Sequence, residues 1–153
     1  MIRNLLKWRV KWMVIRKANV EDWKQISLLL NQLDYPDTEQ FIKNKVETLL
    51  MDTNEELLVF EENKKVIALI SIHFIPQLAV KGDFARISYF AVDENIRSKG
   101  IGRKIEEYCT ELALKRKCDR IEVHCHSRRT DAHRFYMRQG FTESPKYFIK
   151  MLS

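Results

Sequence analysis

The residues best suited to chemistry lie in a turn with two glycines, Arg97-Ser98-Lys99-Gly100-Ile101-Gly102-Arg103. A strand-like run, residues 87–92, precedes this turn, and residues with the spacing of an amphipathic helix follow it. Glycines let a backbone approach a ligand closely, and the N–H groups at the start of a helix favour negative charge. The turn therefore predicts a cradle for a phosphate-bearing ligand.

Two common phosphate-binding motifs do not fit this turn. A Walker A loop needs Gly-Lys-Ser or Gly-Lys-Thr, but here Gly102 precedes Arg103-Lys104-Ile105. A dinucleotide fingerprint needs a third glycine at position 105, which is isoleucine. Because Gly-x-Gly also occurs in plain loops, the pattern by itself leaves a purely structural role open.

The context of the turn is more specific than the turn itself. The pattern Arg97-x-x-Gly100-x-Gly102, after a strand ending Phe90-Ala91-Val92, resembles the acetyl-CoA-binding motif of the GNAT family of N-acetyltransferases. Residues 132–141 are similar to the family's second signature, a helix that ends in Gly-Phe. The resemblance covers residues 13–153. It implies an acyltransferase that moves an acetyl group from acetyl-CoA to a primary amine, by direct attack in a ternary complex and without a metal.

The resemblance also implies which residues bind the donor. They form three groups: the backbone of the strand before the turn, the turn itself, and two residues near the second signature. The strand is expected to diverge from its neighbour, so that its backbone pairs with the pantetheine amides. The implied residues are Phe90, Ala91, Val92, Arg97, Ser98, Lys99, Gly100, Ile101, Gly102, Arg103, Arg129 and His133. Arg129 stands where relatives often have asparagine, and a contact with a CoA phosphate is one hypothesis for it.

Tyr136, within the second signature, is implied as the catalytic residue. Acetyl transfer needs a neutral amine to attack the thioester and a CoA thiolate to leave. A tyrosine hydroxyl, with a pKa of about 10, can donate a proton or hydrogen bond to that sulfur. The alternative is a packed ring with a satisfied hydroxyl.

The general base is not identified by the sequence. Many relatives carry a glutamate four residues before the valine aligned with Val92, but Ser88 occupies that position here. The alternatives, acting directly or through water, are Glu122, His124, His126 and His73. Each of them could equally be an ordinary sheet or surface residue.

The segment between the first two helices is the candidate acceptor site. Asp34 and Asp37 lie beside Tyr35, and an acidic rim would attract a cationic amine. The same carboxylates could instead cap the second helix. Small amines, including aminoglycoside-like and polyamine acceptors, are favoured over a protein N-terminus or lysine.

A zinc site is disfavoured. His124 and His126 share one face of a predicted strand with His133 further along, but Cys125 points to the opposite face. The chain also lacks a Cys-x-x-Cys pair.

Hydrophobic spacing predicts the elements that position these residues. A strand at 13–16 leads to a helix capped by Asn19, with Asp22 completing an approximate capping box. A second helix starts at Asp37 or Thr38. The inward residues of the two helices are predicted to be Val20, Trp23, Ile26, Leu30 and Leu33, then Ile42, Val46, Leu49 and Leu50.

The rest of the chain alternates between strands and helices. A hairpin at 57–61 and 66–75 is followed by a turn at Gly82 and the strand ending at Val92. Next come a helix with Ile101, Ile105, Tyr108 and Leu112 inward, a strand at 121–126, a helix from 131 to 139 ended by Gly140, and a strand at 147–151. The order β-α-α-β-β-β-α-β-α-β predicts a GNAT-like mixed α+β fold: a mostly antiparallel twisted sheet of about six to seven strands flanked by about four helices.

Composition sets the remaining expectations. The chain has 153 residues and a net charge of +6, suited to one domain over residues 13–153. Residues 1–12 contain four basic residues and no acidic one, and read as an extension with Met13 as an alternative start. Three cysteines predict reduced thiols and a cytoplasmic protein. No membrane span is expected, because charges interrupt the apolar residues of the extension. No specific nucleic-acid binding is expected either, since the charge outside the extension is nearly balanced.

Three alternatives to a small-molecule acetyltransferase stay open. One is a non-catalytic acyl-CoA-binding or regulatory domain, because the strand carboxylate is missing. A second is a protein N-acetyltransferase, and a third is a nonspecific nucleic-acid-binding module that relies on the basic extension. A homodimer is also an open expectation, since dimers are frequent among relatives.

Overall fold

The computed structural model describes residues 13–96, 99–144 and 146–152. Residues 1–12, with the predicted extension, and Arg97 and Ser98 of the glycine turn lie outside the described residues. The strands are β1 (Met13–Lys17), β2 (Glu55–Glu62), β3 (Lys65–Ile75), β4 (Phe84–Val92) and β5 (Arg120–Val123), and the helices are α1 (Trp23–Gln32), α2 (Ile42–Met51), α3 (Ile101–Lys115) and α4 (Thr130–Arg138). Short 3-10 turns, Val20–Asp22, Thr38–Gln40 and Glu94–Ile96, precede α1, α2 and α3.

The strands form one sheet in the order β1-β2-β3-β4-β5. Neighbouring strands are antiparallel except β4 and β5, which are parallel and joined through α3. The predicted mixed α+β fold is therefore confirmed, with five strands in the described residues rather than six or seven.

Helices cover both faces of the sheet, because strands β2, β3 and β4 carry apolar side chains on both sides. One core lies under α1 and α2 and contains Leu29, Leu30, Leu33, Val46, Leu57, Leu69 and Ala91. The other lies under α3 and contains Phe60, Ile70, Ile72, Phe74, Ile87, Ile101 and Ile105, with Tyr136 and Phe141 packed against it. The central strand β3 is almost wholly buried, as two covered faces require.

The predicted start of the first helix is confirmed. The Asn19 N–H donates a hydrogen bond to Asp22 Oδ2 at 2.8 Å, and Arg16 binds the same carboxylate with both terminal nitrogens, each at 2.8 Å. Burial alone would raise the pKa of Asp22, but the hydrogen bonds from Arg16 and the Asn19 N–H hold it below its ordinary value. These contacts fix the turn between β1 and α1.

Gly82 is required for close approach rather than for an unusual φ. A Cβ at this position would lie 2.6 Å from Lys117 O and 2.7 Å from Asp119 N, both of them backbone atoms. The backbone before β4 therefore packs directly against the turn before β5, where the Asp119 N–H donates to Asp83 O at 2.9 Å. This contact sets the start of the parallel β4–β5 pairing.

Three element predictions are wrong. Strand β5 ends at Val123 rather than at residue 126, because its ladder with β4 stops there. No strand forms over residues 147–151, whose side chains are exposed. Leu50, predicted to face inward, is exposed on α2, since only Ile42 and Val46 of that helix are fully buried. In the described residues, no helix is long and apolar enough to cross a membrane.

Candidate active site

A bulge in β4 changes which side chains face each core. Ser71 pairs with Tyr89 and Ile72 pairs with Ile87, so Ser88 is an extra residue with no partner on β3. Before the bulge, Ile87 faces the core under α3; after it, Phe90 packs on that side instead. The bulge turns Ser88 and Tyr89 outward, as bulges near functional sites often do.

Next to this bulge, β4 and β5 separate. Their parallel ladder runs from Phe84 with Arg120 to Ile87 with Val123, whereas β4 continues to Val92. Within the described part of the chain, no strand pairs with that edge of β4 beyond Ile87. Between Ser88 and Ala91 this edge is therefore available to an extended ligand, as the resemblance implies for Phe90 and Ala91. The resemblance also implies Val92, but this residue already has an interaction within the protein.

A narrow cleft opens where the two strands separate. Strand β4 lines it with Ile87, Ser88, Tyr89 and Phe90, and β5 and the loop after it line it with Val123, His124, Cys125 and Arg129. The segment that follows α1 adds Leu33 and Tyr35, and α4 adds Tyr136. Tyr35 and Tyr89 meet edge to face, with ring centroids 5.3 Å apart. The cleft thus brings together Tyr136, Ser88 and one base candidate, His124.

Tyr136 is held by two aromatic neighbours. Its ring centroid lies 5.2 Å from that of Phe135 and 5.3 Å from that of Phe141, both edge to face. Burial raises the pKa of Tyr136 well above its ordinary value. Its hydroxyl has no hydrogen-bond partner among the described residues, an unusual state for a largely buried polar group. A protonated, unpartnered hydroxyl is suited to donate a proton to a ligand.

Cys125 lies in the same cleft, although the sequence offered no functional signal for it. Burial raises the pKa of its thiol, and the positive charge of Arg129 opposes that shift only in part. Because the thiolate is the nucleophilic form, this thiol is poorly suited to attack a thioester. Cys109 and Cys118 are also free thiols.

The glycine turn meets the start of α3. Gly100 caps the helix in the left-handed region, with φ of 76°, and a Cβ there would meet nothing within 4 Å. At Gly102, a Cβ would lie 3.3 Å from the ring of Phe135, so α3 and α4 approach closely at this residue. The first backbone N–H groups of α3 have no partners within the helix, as at the start of any α-helix, and such groups can bind an anion.

The side chains of the turn contribute less than its backbone. Ile101 is 2% exposed, so its side chain belongs to the core and only its backbone could contact a ligand. Arg103 Nε donates to Glu107 Oε1 at 2.9 Å, one turn along α3. Lys99 is exposed.

Three of the four base candidates are already engaged. Arg86 binds Glu122 across the β4–β5 pair, with its Nε 2.8 Å from Oε1. His73 Nδ1 lies 3.1 Å from Glu55 Oε2, and the Arg128 N–H donates to His126 Nδ1 at 3.2 Å. Of the four candidates, His124 is the one that lines the cleft. Its ring stacks on that of Tyr147, with ring centroids 4.6 Å apart.

A buried carboxylate on β2 was not found by sequence reasoning. Glu55 is 8% exposed and accepts a hydrogen bond from Ser71 Oγ at 2.5 Å. Burial raises its pKa, and the hydrogen bonds from Ser71 and His73 oppose the rise. Its neighbour Glu56 and the polar turn before it make Glu55 look solvated in the sequence, so only the strand pairing reveals it.

The predicted acceptor residues separate into two groups. Tyr35 is in the wall of the cleft. Asp34 and Asp37 are exposed and outside it, both with φ above 60°. Asp34 Oδ2 lies 3.9 Å from Arg128 Nη2, which bridges the turn after α1 to the loop after β5.

Arg129 and His133 both lie near the start of α4 but in different settings. His133 Nε2 donates to the backbone oxygen of His126 at 2.9 Å and so closes the loop before the helix. Arg129 lines the cleft beside Tyr136. Among the described residues, no cluster of three or more His, Cys, Asp and Glu side chains is arranged to hold a metal ion.

Comparisons with known proteins agree with this architecture. The family model described as "Acetyltransferase (GNAT) family" matches residues 15–141. An aminoalkylphosphonate N-acetyltransferase from Salmonella typhimurium is 29% identical over 143 residues, which is 90% of each chain.

Solved structures share the fold at lower identity. A transcriptional regulator from Bacillus halodurans matches with a TM-score of 0.85 and 23% identity, over 92% of this chain and 99% of that chain. Glucosamine-6-phosphate N-acetyltransferase from Arabidopsis thaliana matches with a TM-score of 0.79 and 21% identity, over 92% and 99% of the two chains.

Proposed function

Since this chain belongs to the GNAT family of acetyltransferases and is an acyltransferase, we propose that it moves an acetyl group from acetyl-CoA to the primary amine of a small molecule, by direct attack in a ternary complex. The observation that carries the proposal is the cleft between β4 and β5, which joins a protonated, unpartnered Tyr136 to an unpaired strand edge. The name of the Salmonella relative supplies the first acceptor to test, an aminoalkylphosphonate.

The chain fits the shape and charge of the donor. The open, left-handed Gly100 and the N–H groups at the start of α3 suit the pyrophosphate, and the edge of β4 from Ser88 to Ala91 suits an amide-bearing arm. Bound acetyl-CoA supplies an activated acetyl group as a thioester. The backbone of the turn and of β4 therefore holds the donor, while most of the nearby side chains face solvent or the core.

Tyr136 supplies the proton that the leaving group needs. The neutral amine nitrogen forms a bond to the acetyl carbon, and the carbon–sulfur bond breaks. The sulfur takes its proton from the Tyr136 hydroxyl, which recovers one from solvent. The nitrogen loses its extra proton to His124 or to a water beside it, because His124 is the one base candidate that lines the cleft.

Direct attack is favoured over an acetylated enzyme. Cys125 is the one nucleophilic thiol in the cleft wall, and burial raises its pKa so that the thiol form dominates. The narrow cleft would also hold the amine and the thioester next to each other. The two reactants then need not meet by diffusion, which lowers the entropic part of the barrier.

Thiol release from acetyl-CoA, measured with a panel of amines, tests this proposal. The panel contains 2-aminoethylphosphonate, 1,3-diaminopropane, an aminoglycoside and a peptide with a free N-terminus. Release stimulated by one class of small amine is the expected result. Saturable acetyl-CoA binding with no stimulated release would instead indicate a non-catalytic acyl-CoA-binding domain, and stimulation by the peptide alone would indicate a protein acetyltransferase.

We infer that two copies of the chain associate through the segment after α4. Phe148 is 92% exposed and Ile149 is 74% exposed, and a run of apolar side chains at the surface is typical of an interface. Sedimentation equilibrium of the wild type and of Phe148→Glu measures the association. A monomeric wild type would contradict it.

A further inference from the structure

The cleft wall carries a positive charge, whereas a cationic acceptor would favour a negative one. Of the eleven described residues that line it, Arg129 carries the one permanent charge, and none is a carboxylate. Asp34 and Asp37, which a cationic amine would need, lie outside this wall.

Arg129 has no counterion among the residues that the structure describes. Its guanidinium has no carboxylate within ion-pair distance among the described residues, whereas the adjacent Arg128 lies 3.9 Å from Asp34. An arginine stays protonated at every usable pH and offers a fork of N–H donors that matches carboxylate and phosphonate oxygens. An acceptor that covers the guanidinium removes water from it. This loss of solvation costs free energy unless the acceptor supplies a negatively charged partner.

The position of Arg129 favours the acceptor over the phosphates of the donor. It shares the cleft with Ser88 and Tyr35, and Tyr35 belongs to the turn after α1. The phosphate turn follows Val92, which lies four residues beyond Ser88, or about 13 Å along the strand. The two charged ligands are thus expected at opposite ends of the free edge of β4.

We propose that Arg129 forms an anion subsite for the acceptor, so that the preferred substrates are amines that also carry a phosphonate, phosphate or carboxylate group. This proposal rests on the proposed acetyl transfer and adds the class of substrate. The guanidinium binds the anion by charge-assisted hydrogen bonds, which orients the amine toward the thioester beside Tyr136.

Steady-state kinetics with acceptors of matched length measures the subsite. The acceptors are 2-aminoethylphosphonate and β-alanine, which carry an anion, propylamine, which has an uncharged tail, and 1,3-diaminopropane, which has a second cation. For the wild type, kcat/KM is expected to be about 10- to 100-fold higher for the anionic amines, the range of one charged hydrogen-bonding partner.

The variants separate this role from a structural one. Arg129→Gln should lower kcat/KM for the anionic amines about 10- to 100-fold more than for propylamine and so remove the preference, and Arg129→Lys should restore part of it. Arg128→Gln, which removes the same charge from the next residue, is the matched control and should keep the preference. A merely structural role for Arg129 would lower the values for all amines together.

Two results would overturn the subsite. One is an Arg129→Gln variant with a raised KM for acetyl-CoA and an unchanged ratio between anionic and neutral amines, which would place Arg129 on a CoA phosphate. The other is a wild type that prefers 1,3-diaminopropane.

Calorimetric titration of 2-aminoethylphosphonate into the CoA-saturated protein distinguishes failure of the subsite from failure of catalysis. Binding by the wild type that is lost in Arg129→Gln supports the subsite even if no amine stimulates thiol release. Absence of binding by both anionic amines overturns the subsite.

Discussion

Replacement of Tyr136 by phenylalanine should abolish most of the acetyl transfer and leave the fold intact. The ring remains, and with it the edge-to-face contacts with Phe135 and Phe141 at 5.2 and 5.3 Å. Only the hydroxyl is lost, and it has no partner among the described residues that would be left unsatisfied. The free energy of unfolding should therefore change by less than about 1 kcal/mol.

The expected kinetic loss is far larger than that stability change. A positioned general acid typically contributes about 10²- to 10⁴-fold, or about 2.7 to 5.4 kcal/mol of transition-state stabilisation. Because burial raises the pKa of Tyr136, its hydroxyl stays protonated across the usual assay range. The wild-type rate should consequently show no decline from tyrosine ionisation up to about pH 9.

The assay is thiol release at saturating 2-aminoethylphosphonate, with acetyl-CoA affinity measured separately by calorimetry. Tyr136→Phe should lower kcat and leave the Kd for acetyl-CoA within about twofold. Tyr108→Phe is the matched control, because Tyr108 packs against the same core but does not line the cleft. A Tyr136→Phe enzyme with undiminished turnover would refute the assignment, and a lower kcat together with lost thermal stability would refute the reasoning from its unpartnered hydroxyl.

Three further predictions concern the donor turn and the sheet. Gly100→Ala should cost about 1 kcal/mol of stability, because φ is 76°, and should raise the KM for acetyl-CoA without changing that for the acceptor; a selective effect on the acceptor KM would contradict the cradle. Gly82→Ala should destabilise the fold by more than about 2 kcal/mol in urea unfolding, since its Cβ would lie 2.6 Å from a backbone oxygen, and an unchanged midpoint would show that the two turns can separate. Glu55→Gln should flatten the pH dependence of stability: burial raises the folded-state pKa of Glu55, so the wild type loses stability relative to the variant as pH rises above about 4, and equal slopes would contradict this.

The local elements of the site could be predicted because their signals are local. The two glycines and the spacing of Ile101 and Ile105 predict the turn and α3, and Gly140, with φ of 90°, ends the helix that carries Tyr136 as predicted. These features depend on φ preferences and on a period of 3.6 residues. Both can be seen in a short window of sequence.

The separation of β4 and β5 could not be predicted in the same way. The bulge at Ser88 depends on which residues of β3 face β4, and no glycine or proline marks it. If β4 is predicted as a regular strand without a bulge, the alternation of side chains assigns every residue after Ile87 to the wrong face of the sheet.

Residues 147–151 show the opposite error. They have high strand propensity, but a strand forms only where a neighbour supplies hydrogen bonds, and no described strand pairs with them. The contact between buried Glu55 and the partly exposed His73 was missed for a related reason, since the two residues are far apart in the chain and meet only through the β2–β3 register.

A single-turnover experiment distinguishes direct acetyl transfer from a route through an acetylated enzyme. Excess enzyme is mixed with acetyl-CoA, with and without 2-aminoethylphosphonate, and both free CoA and N-acetylated product are followed by mass spectrometry. We expect no CoA release without the amine, and with it one N-acetylated product for each CoA. A burst of CoA before amine is added, with acetyl bound to Cys125, would contradict the account.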